Sequence, residues 1–471
     1  MKSSHNPFDY EVAVIGGGSA GYAAARCAAS AGLRTVVIEG GEEVGGLCIL
    51  RGCMPSKALL YAAEVMHLAQ HATAWGIEAK VSFDFPRVMA RKNALIKEFA
   101  DDRHQQLRKG KFEFLRAQAH FTGPHALALD TGATLTARSF ILSTGSIVAP
   151  SPLPELAEVG YLDSDKALAL SKLPASLIVL GGGAVAVEFA QFFARFGVKV
   201  SLIQRSMHLL REVDTDAASE LENVFRREGM EVYTNTRLIG ARRTAQSKSV
   251  IFHHQDREVT LTAEEILFAL GRIPNTGSLG LENAGVKAER GRIITNVHMQ
   301  ASAPHIYAAG DCTGPREIVH IAVQQGEIAA HNIARPEQPR EMDYRLLTEV
   351  IFTEPQIATA GLTEKKAIAR DIPYLAASYR FNDHGKSLIM EARDGFVKLL
   401  AAPANGEILG GCCTGPAGGE LIHEIIAAMS KRMTVQELAA MPHYHPTLAE
   451  IWTYPAEELA EEIQPTKAKS K

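Results

Sequence analysis

Cys48 and Cys53, five residues apart in GGLCILRGCMPSK, are the residues of this 471-residue chain best suited by type and spacing to do chemistry. Two neighbouring thiols exchange an electron pair with an outside disulfide or dithiol by thiolate attack, mixed-disulfide formation and resolution. Buried cysteines are often inert packing, but this pair follows a nucleotide-type turn and precedes Lys57 by four residues, which points to redox work. Pro55 argues against one regular helix through the whole motif. A zinc site needs more ligands than the motif offers, so no metal is expected. Near the other end, MPHYHPTLAE sets His445 five residues before Glu450, a base with an orienting carboxylate. His443 is a second candidate, and the sequence leaves open which ring reaches Cys48.

These side chains need a scaffold, and the glycines mark it. An apolar strand over Tyr10 to Ile15 runs into GGGSAG, then a helical stretch, then TVVIEG. Gly16, Gly18 and Gly21 fit the G-x-G-x-x-G turn that lets a backbone approach a pyrophosphate, and Glu39, 23 residues after Gly16, can accept from a ribose 2'-hydroxyl. The unit recurs at Leu177 to Leu180 with GGGAVAVEF, where Gly181 and Gly183 are kept and Ala186 replaces the third glycine. The position equivalent to Glu39 is Gln204, followed by Arg205 and, six residues on, Arg211. A missing acid and two arginines suit a 2'-phosphate, so NADPH is the expected diffusing dinucleotide, with NADH the alternative. Two such units suggest electron transfer between a tightly held nucleotide and an exchanging one.

Residues 58 to 120 read as long helices, TGPHALALDTGATLTARSFILSTGS as strands and turns, and residues 250 to 270 as strand-rich. PHIYAAGDC reads as a strand ending at Gly310 and Asp311, an acid placed to meet a polar part of a cofactor or simply to start a turn. The last 130 or so residues read as a mixed region with helices at TVQELAAM and EELAEEI and a loose TKAKSK tail. Length implies about three domains. The net charge of -4 gives no basic footprint for nucleic acid. No apolar run approaches a membrane span, and MKSSHNPFDY lacks a signal-peptide core. Six cysteines do not make a disulfide scaffold, and a cytoplasmic protein is expected.

Taken together, these motifs resemble the pyridine nucleotide-disulfide oxidoreductases of the glutathione reductase, dihydrolipoamide dehydrogenase and mercuric reductase class, over nearly the whole chain. The resemblance implies an α/β fold with two Rossmann-like nucleotide-binding domains and a C-terminal α+β dimerisation domain. The implied boundaries are 1–151 and 272–342 for FAD, 152–271 for NAD(P)H and 343–471 for dimerisation. It implies FAD held by Gly16, Gly18, Gly21, Glu39, Gly46, Gly145, Gly310 and Asp311, with Lys57 and Glu188 positioning the nicotinamide side of the flavin. Cys48 becomes the interchange thiol and Cys53 the flavin-side thiol. His445 and Glu450 come from the other chain of an obligate homodimer.

The resemblance leaves the substrate between branches. MPSK is similar to the dihydrolipoamide and mercuric enzymes, whereas Ser19 and Arg26 stand where glutathione-contacting residues do, and Ala184 departs from a tyrosine usual in glutathione reductases. No cysteine pair closes the C terminus as mercury reduction would require, and Cys412 and Cys413 read as buried structure. The leading expectation is an NADPH-linked reductase of a low-molecular-weight disulfide. The alternatives are an NAD-dependent dihydrolipoamide dehydrogenase-like enzyme with a lipoyl-bearing protein as partner, a mercuric reductase-like enzyme, and a non-catalytic FAD-containing binding protein.

Overall fold

The computed structural model describes residues 7–314 and 316–463, in two compact units. The start MKSSHN and the TKAKSK tail lie outside the described residues. Among the described residues no helix is long and apolar enough to cross a membrane.

The first unit takes in the described parts of Met1–Ala58, Arg87–Pro150 and Gly271–Met342. Strand Tyr10–Ile15 lies at the centre of a parallel array, between Thr35–Glu39 and Thr134–Leu142. Glu113–Arg116 extends the array on one side and Ile306–Ala308 on the other. Residues Val12 to Val14 and Val36 to Val37 are fully buried, the continuous apolar run expected of a parallel sheet covered on both faces. The helices Ser19–Ser30 and Val319–Ala334 pack closely because small residues line the contact: a Cβ on Gly326 would meet the Ala20 carbonyl oxygen at 2.3 Å.

The helical expectation for residues 58 to 120 holds over Cys53–Gln70 and Phe85–Arg108, but strands begin at Glu113. Pairing of Glu113–Arg116 with Thr35–Glu39 takes the chain into the sheet there. Pro55 does not break the helix it sits in, because it lies in the first turn, where an N–H has no intrahelical partner to lose. The break in the redox motif falls instead at Arg51 and Gly52, between helix Gly46–Leu50 and helix Cys53–Gln70.

The second unit takes in Leu59–Pro86, Ser151–Leu270 and the described part of Asp343–Lys471. Its nucleotide-type sheet is parallel, in the order Glu231–Tyr233, Lys199–Ile203, Ser176–Leu180, Glu265–Phe268. A three-stranded antiparallel sheet spans residues 237–263. The C-terminal part is a five-stranded antiparallel sheet packed with helices Gly418–Ser430 and Thr453–Glu462. Its core includes Phe381, Val397, Ile425 and Trp452, all with no exposure. Lys398, 3% exposed on strand Phe396–Ala401, reaches Asp214 at 3.0 Å, Asp216 at 2.7 Å and Glu364 at 2.6 Å. The result is an α/β architecture with two Rossmann-like sheets and a separate C-terminal α+β part.

Candidate active site

The first glycine turn is built by close backbone contact. A Cβ on Gly21 would lie 1.8 Å from the Gly16 carbonyl oxygen, so the third glycine lets the helix start hard against the strand end. Gly46, at φ +72°, abuts the same turn: its Cβ would meet the Gly18 Cα at 2.6 Å. The Glu39 carboxylate accepts from the Gly17 N–H and the Gly41 N–H, both at 2.7 Å, and is thereby held at the mouth of the turn. Asp311 Oδ2 accepts from Ser146 Oγ at 2.7 Å, and Ser146 Oγ accepts from Arg272 Nε at 2.9 Å. Asp311 thus also opens a turn, Asp311–Thr313. Gly310 donates its N–H to Gln325 Oε1 at 2.8 Å. Beside Gly145, Thr144 Oγ1 is buried with no hydrogen-bond partner among the described residues, a rare condition inside a protein that suits a polar ligand group. This first-unit set fits FAD.

The second turn repeats the pattern with different chemistry. A Cβ on Gly181 would meet the Ala269 carbonyl oxygen at 2.3 Å, Gly183 caps helix Ala184–Arg195, and Ala186 is fully buried in that helix. Gln204 Oε1 accepts from the Arg205 N–H at 2.9 Å and brings no negative charge. Arg205 is exposed and has no carboxylate partner among the described residues. Arg211 is exposed too, with Nε donating to Glu212 Oε1 at 2.9 Å. Glu188, 5% exposed in the same helix, accepts the Phe352 N–H on Oε1 at 3.0 Å. Lys57 lies one turn after Cys53 on helix Cys53–Gln70 of the first unit's motif.

Cys48 and Cys53 are brought together as half-buried thiols in hydrogen-bond contact. The hydrogen bond with Cys53, then burial, then repulsion from the neighbouring sulfur hold the Cys48 proton on, well above the ordinary thiol range. Arg103 pulls the other way. Its guanidinium carbon lies 4.4 Å from the Tyr22 ring centre and Nε donates to Gln106 Oε1 at 3.2 Å, while Nη1 is buried without a hydrogen-bond partner among the described residues. Burial holds Arg103 itself below its usual range. Nothing in the polar run DDRHQQLRK marked Arg103 out from a solvated helix face. Of the two residues placed by resemblance at a glutathione site, Ser19 opens helix Ser19–Ser30 and Arg26 is ion-paired with Glu327 at 3.2 Å.

The two C-terminal histidines differ sharply. His443 is a packed side chain, with Nε2 2.6 Å from Glu424 Oε1 and Nδ1 3.0 Å from the Met441 carbonyl oxygen. His445 is 78% exposed in the single chain, its Nδ1 2.9 Å from Glu450 Oε2, so Nε2 is the atom it offers outward. A third imidazole, His384, approaches the other oxygen of Glu450; FNDHGK gave it no sequence signal beyond a turn. Cys412 and Cys413 lie in strand Ile408–Gly415, with burial pushing Cys412 up to about 12 and Cys413 well above the ordinary range.

A dinucleotide turn joined to an adjacent thiol pair, a second such turn and a C-terminal antiparallel domain defines a flavoprotein disulfide oxidoreductase. Residues 10–326 match the family model described as pyridine nucleotide-disulphide oxidoreductase, and residues 347–456 match the dimerisation domain of the same family. The chain belongs to the pyridine nucleotide-disulphide oxidoreductases, enzymes that use FAD and a nicotinamide dinucleotide. It is 35% identical over 459 residues to a dihydrolipoyl dehydrogenase of Bacillus subtilis, covering 94% of this chain and 96% of that protein. It is 34% identical over 462 residues to a mercuric reductase of Streptomyces lividans, covering 96% and 97%. The HOCl-induced flavoprotein disulfide reductase RclA of Escherichia coli superposes with TM-score 0.85 at 26% identity, over 95% of this chain and 99% of that one. LpdA of Mycobacterium tuberculosis superposes with TM-score 0.86 at 28% identity, with the same coverage.

Proposed function

We propose that the chain passes an electron pair between a nicotinamide dinucleotide and a low-molecular-weight dithiol or disulfide through Cys48 and Cys53, with a lipoyl group as the favoured substrate. The observation that carries this reading is the hydrogen-bonded thiol pair beside the first dinucleotide turn. The names borne by the relatives weigh toward the dihydrolipoyl branch, ahead of the NADPH-linked reductase of a low-molecular-weight disulfide that the sequence put first. MPSK pulls the same way, and Arg26 already has Glu327 as its partner. Metal-ion reduction is less favoured, since Cys412 and Cys413 are core residues. Gln204 and Arg205 support NADPH as the preferred dinucleotide, with NADH the alternative.

Bound FAD supplies the two-electron relay between nicotinamide and thiols. The chain's residues do the rest: the first turn, Gly46, Gly145, Gly310 and Asp311 hold and orient the cofactor, Glu39 receives a ribose hydroxyl, and Lys57 and Glu188 position its reactive end. In the reducing direction His445 Nε2 takes the Cys48 proton, and the Cys48 thiolate so formed attacks one sulfur of the substrate disulfide. The leaving sulfur takes a proton from His445 Nε2, with Glu450 orienting the ring. Cys53 then attacks Cys48 in the mixed disulfide and releases the second thiol, leaving the cysteines oxidised and the substrate reduced by two electrons. His445 and Glu450 are supplied by the second chain of a homodimer, with residues 343–471 as its interface domain. Residues 1–151 and 272–342 bind FAD and 152–271 bind the nicotinamide dinucleotide.

Anaerobic initial rates with NADPH and NADH, each offered lipoamide or glutathione disulfide against a no-acceptor control, test the reading. Faster turnover of lipoamide is expected; preference for glutathione disulfide would return Ser19 and Arg26 to the substrate site.

A further inference from the structure

Glu450 stands between two imidazoles, and the mechanism above uses one. His384 has no exposure, an unusual place for a ring that titrates near neutrality. It caps the short turn Gly385–Ile389 after strand Leu375–Arg380, with Phe381 and Tyr454 packed edge-on at 6.4 Å. Its Nδ1 lies 2.8 Å from the hydroxyl of Ser387, itself fully buried, and its Nε2 lies 3.4 Å from Glu450 Oε1. Nε2 is buried and makes no well-formed hydrogen bond among the described residues, and the Glu450 carboxylate is the acidic group within ion-pair distance of it. The groups facing His384 are therefore Glu450, with His445 behind it, the Tyr454 ring and Ser387. The neighbouring Asp383 carboxylate is engaged by the Tyr379 hydroxyl at 3.1 Å.

Burial holds His384 below the ordinary histidine range against the pull of Glu450, a shift that favours the neutral ring. A neutral ring has one donor and one acceptor nitrogen. If the Ser387 hydroxyl donates into Nδ1, the proton must sit on Nε2, pointing at Glu450.

We propose that His384 is a positioning residue for the His445–Glu450 pair: its Nε2–H, fixed by Ser387, holds Glu450 Oε1 and thereby orients the carboxylate that meets His445. The inference rests on the reading of His445 as the base. It makes the unit a three-residue chain from a buried ring through Glu450 to an exposed one. Without His384 the buried Glu450 carboxylate bears on His445 alone and holds its proton more firmly, so that ring is available as a base only at higher pH.

The test is anaerobic reduction of the oxidised, FAD-bound enzyme by dithiothreitol, a dithiol independent of the natural substrate, followed as rate against pH. The dithiol's own ionisation is common to all variants. His384→Leu is expected to move the acid limb up by about half a unit to one unit. Ser387→Ala, which removes a single hydroxyl, moves it the same way by less, and His384→Gln, which restores an N–H donor, returns it toward wild type. A merely structural role lowers the rate equally at every pH. An acid limb at the wild-type position in both His384→Leu and Ser387→Ala overturns the proposal, and Ser387→Ala decides alone if His384→Leu does not yield FAD-bound enzyme. His445→Gln separates the two readings, because an unchanged limb in that variant removes His445 as the base itself.

Discussion

At the scale of single residues, the division of labour between Cys48 and Cys53 follows from where each proton stays. Cys48 keeps its proton through contact with Cys53 and burial, so a nearby base is needed before it can attack, while Cys53 opens helix Cys53–Gln70 at that helix's partially positive end. The wild type reduced anaerobically by two electrons is expected to show long-wavelength absorbance from the Cys53 thiolate against oxidised flavin, Cys48→Ser, which has no disulfide to reduce, to show it before any reductant is added, and Cys53→Ser to show it in neither state; the spectra of both variants check this. Arg103 lowers the barrier to ionising Cys48. In Arg103→Gln the alkylation of the reduced enzyme by iodoacetamide should shift to higher pH by about half a unit, and an unchanged profile would remove Arg103 from the site. The cysteine spacing and the pairing of His445 with Glu450 were legible in the sequence because few residue types do such chemistry and their spacing is short, but the choice between His443 and His445 was not. Arg103 and His384 were not, because each acts on a residue distant in sequence that only folding brings near.

At the scale of elements, the two glycine turns show how one backbone design serves two nucleotides. Glu39 in the first and Gln204 with Arg205 in the second differ by a charge at the same structural position. Neutralising Arg205 and Arg211 together is expected to lower kcat/KM for NADPH by about ten- to a hundredfold, with little change for NADH; equal losses with both would contradict the assignment. The strand–turn–helix order was legible because parallel strands are continuously apolar and the glycines punctuate them. The start of strand Glu113–Arg116 was not, since a short edge strand carries little pattern and is defined by its partner Thr35–Glu39. Lys398 was equally hidden. It lies among Asp214, Asp216 and Glu364, whose hydrogen bonds and charges raise it despite burial. Burial pushes Asp214 up, but the Lys365 N–H and Lys398 outweigh it, so its carboxyl lies below the usual range. A carboxyl held lower in the folded chain gives stability above its unfolded value of about 3.9 that is lost as pH falls. Lys398→Met should therefore cost about 3–5 kcal/mol at pH 7 and flatten the acid limb of the melting profile, which thermal unfolding across pH 3 to 7 would show.

At the scale of the whole molecule, the family match covers both the nucleotide-binding part and the dimerisation domain. The proposal that His445 reaches the cysteines from a second chain makes a specific prediction. A mixed dimer of one Cys48→Ser chain and one His445→Gln chain retains one intact site if the histidine comes from the opposite subunit, and none if both groups come from one chain. About half of wild-type activity is expected from the purified mixed dimer, against almost none from either mutant homodimer.

The central claim is that electrons reach the substrate through the cysteine pair. The most direct measurement is anaerobic NADPH oxidation by the FAD-bound enzyme with lipoamide, wild type beside Cys48→Ser. Wild-type turnover with loss of lipoamide reduction in Cys48→Ser, while its flavin is still reduced by NADPH, is the predicted result. Lipoamide reduction undiminished in Cys48→Ser would contradict it.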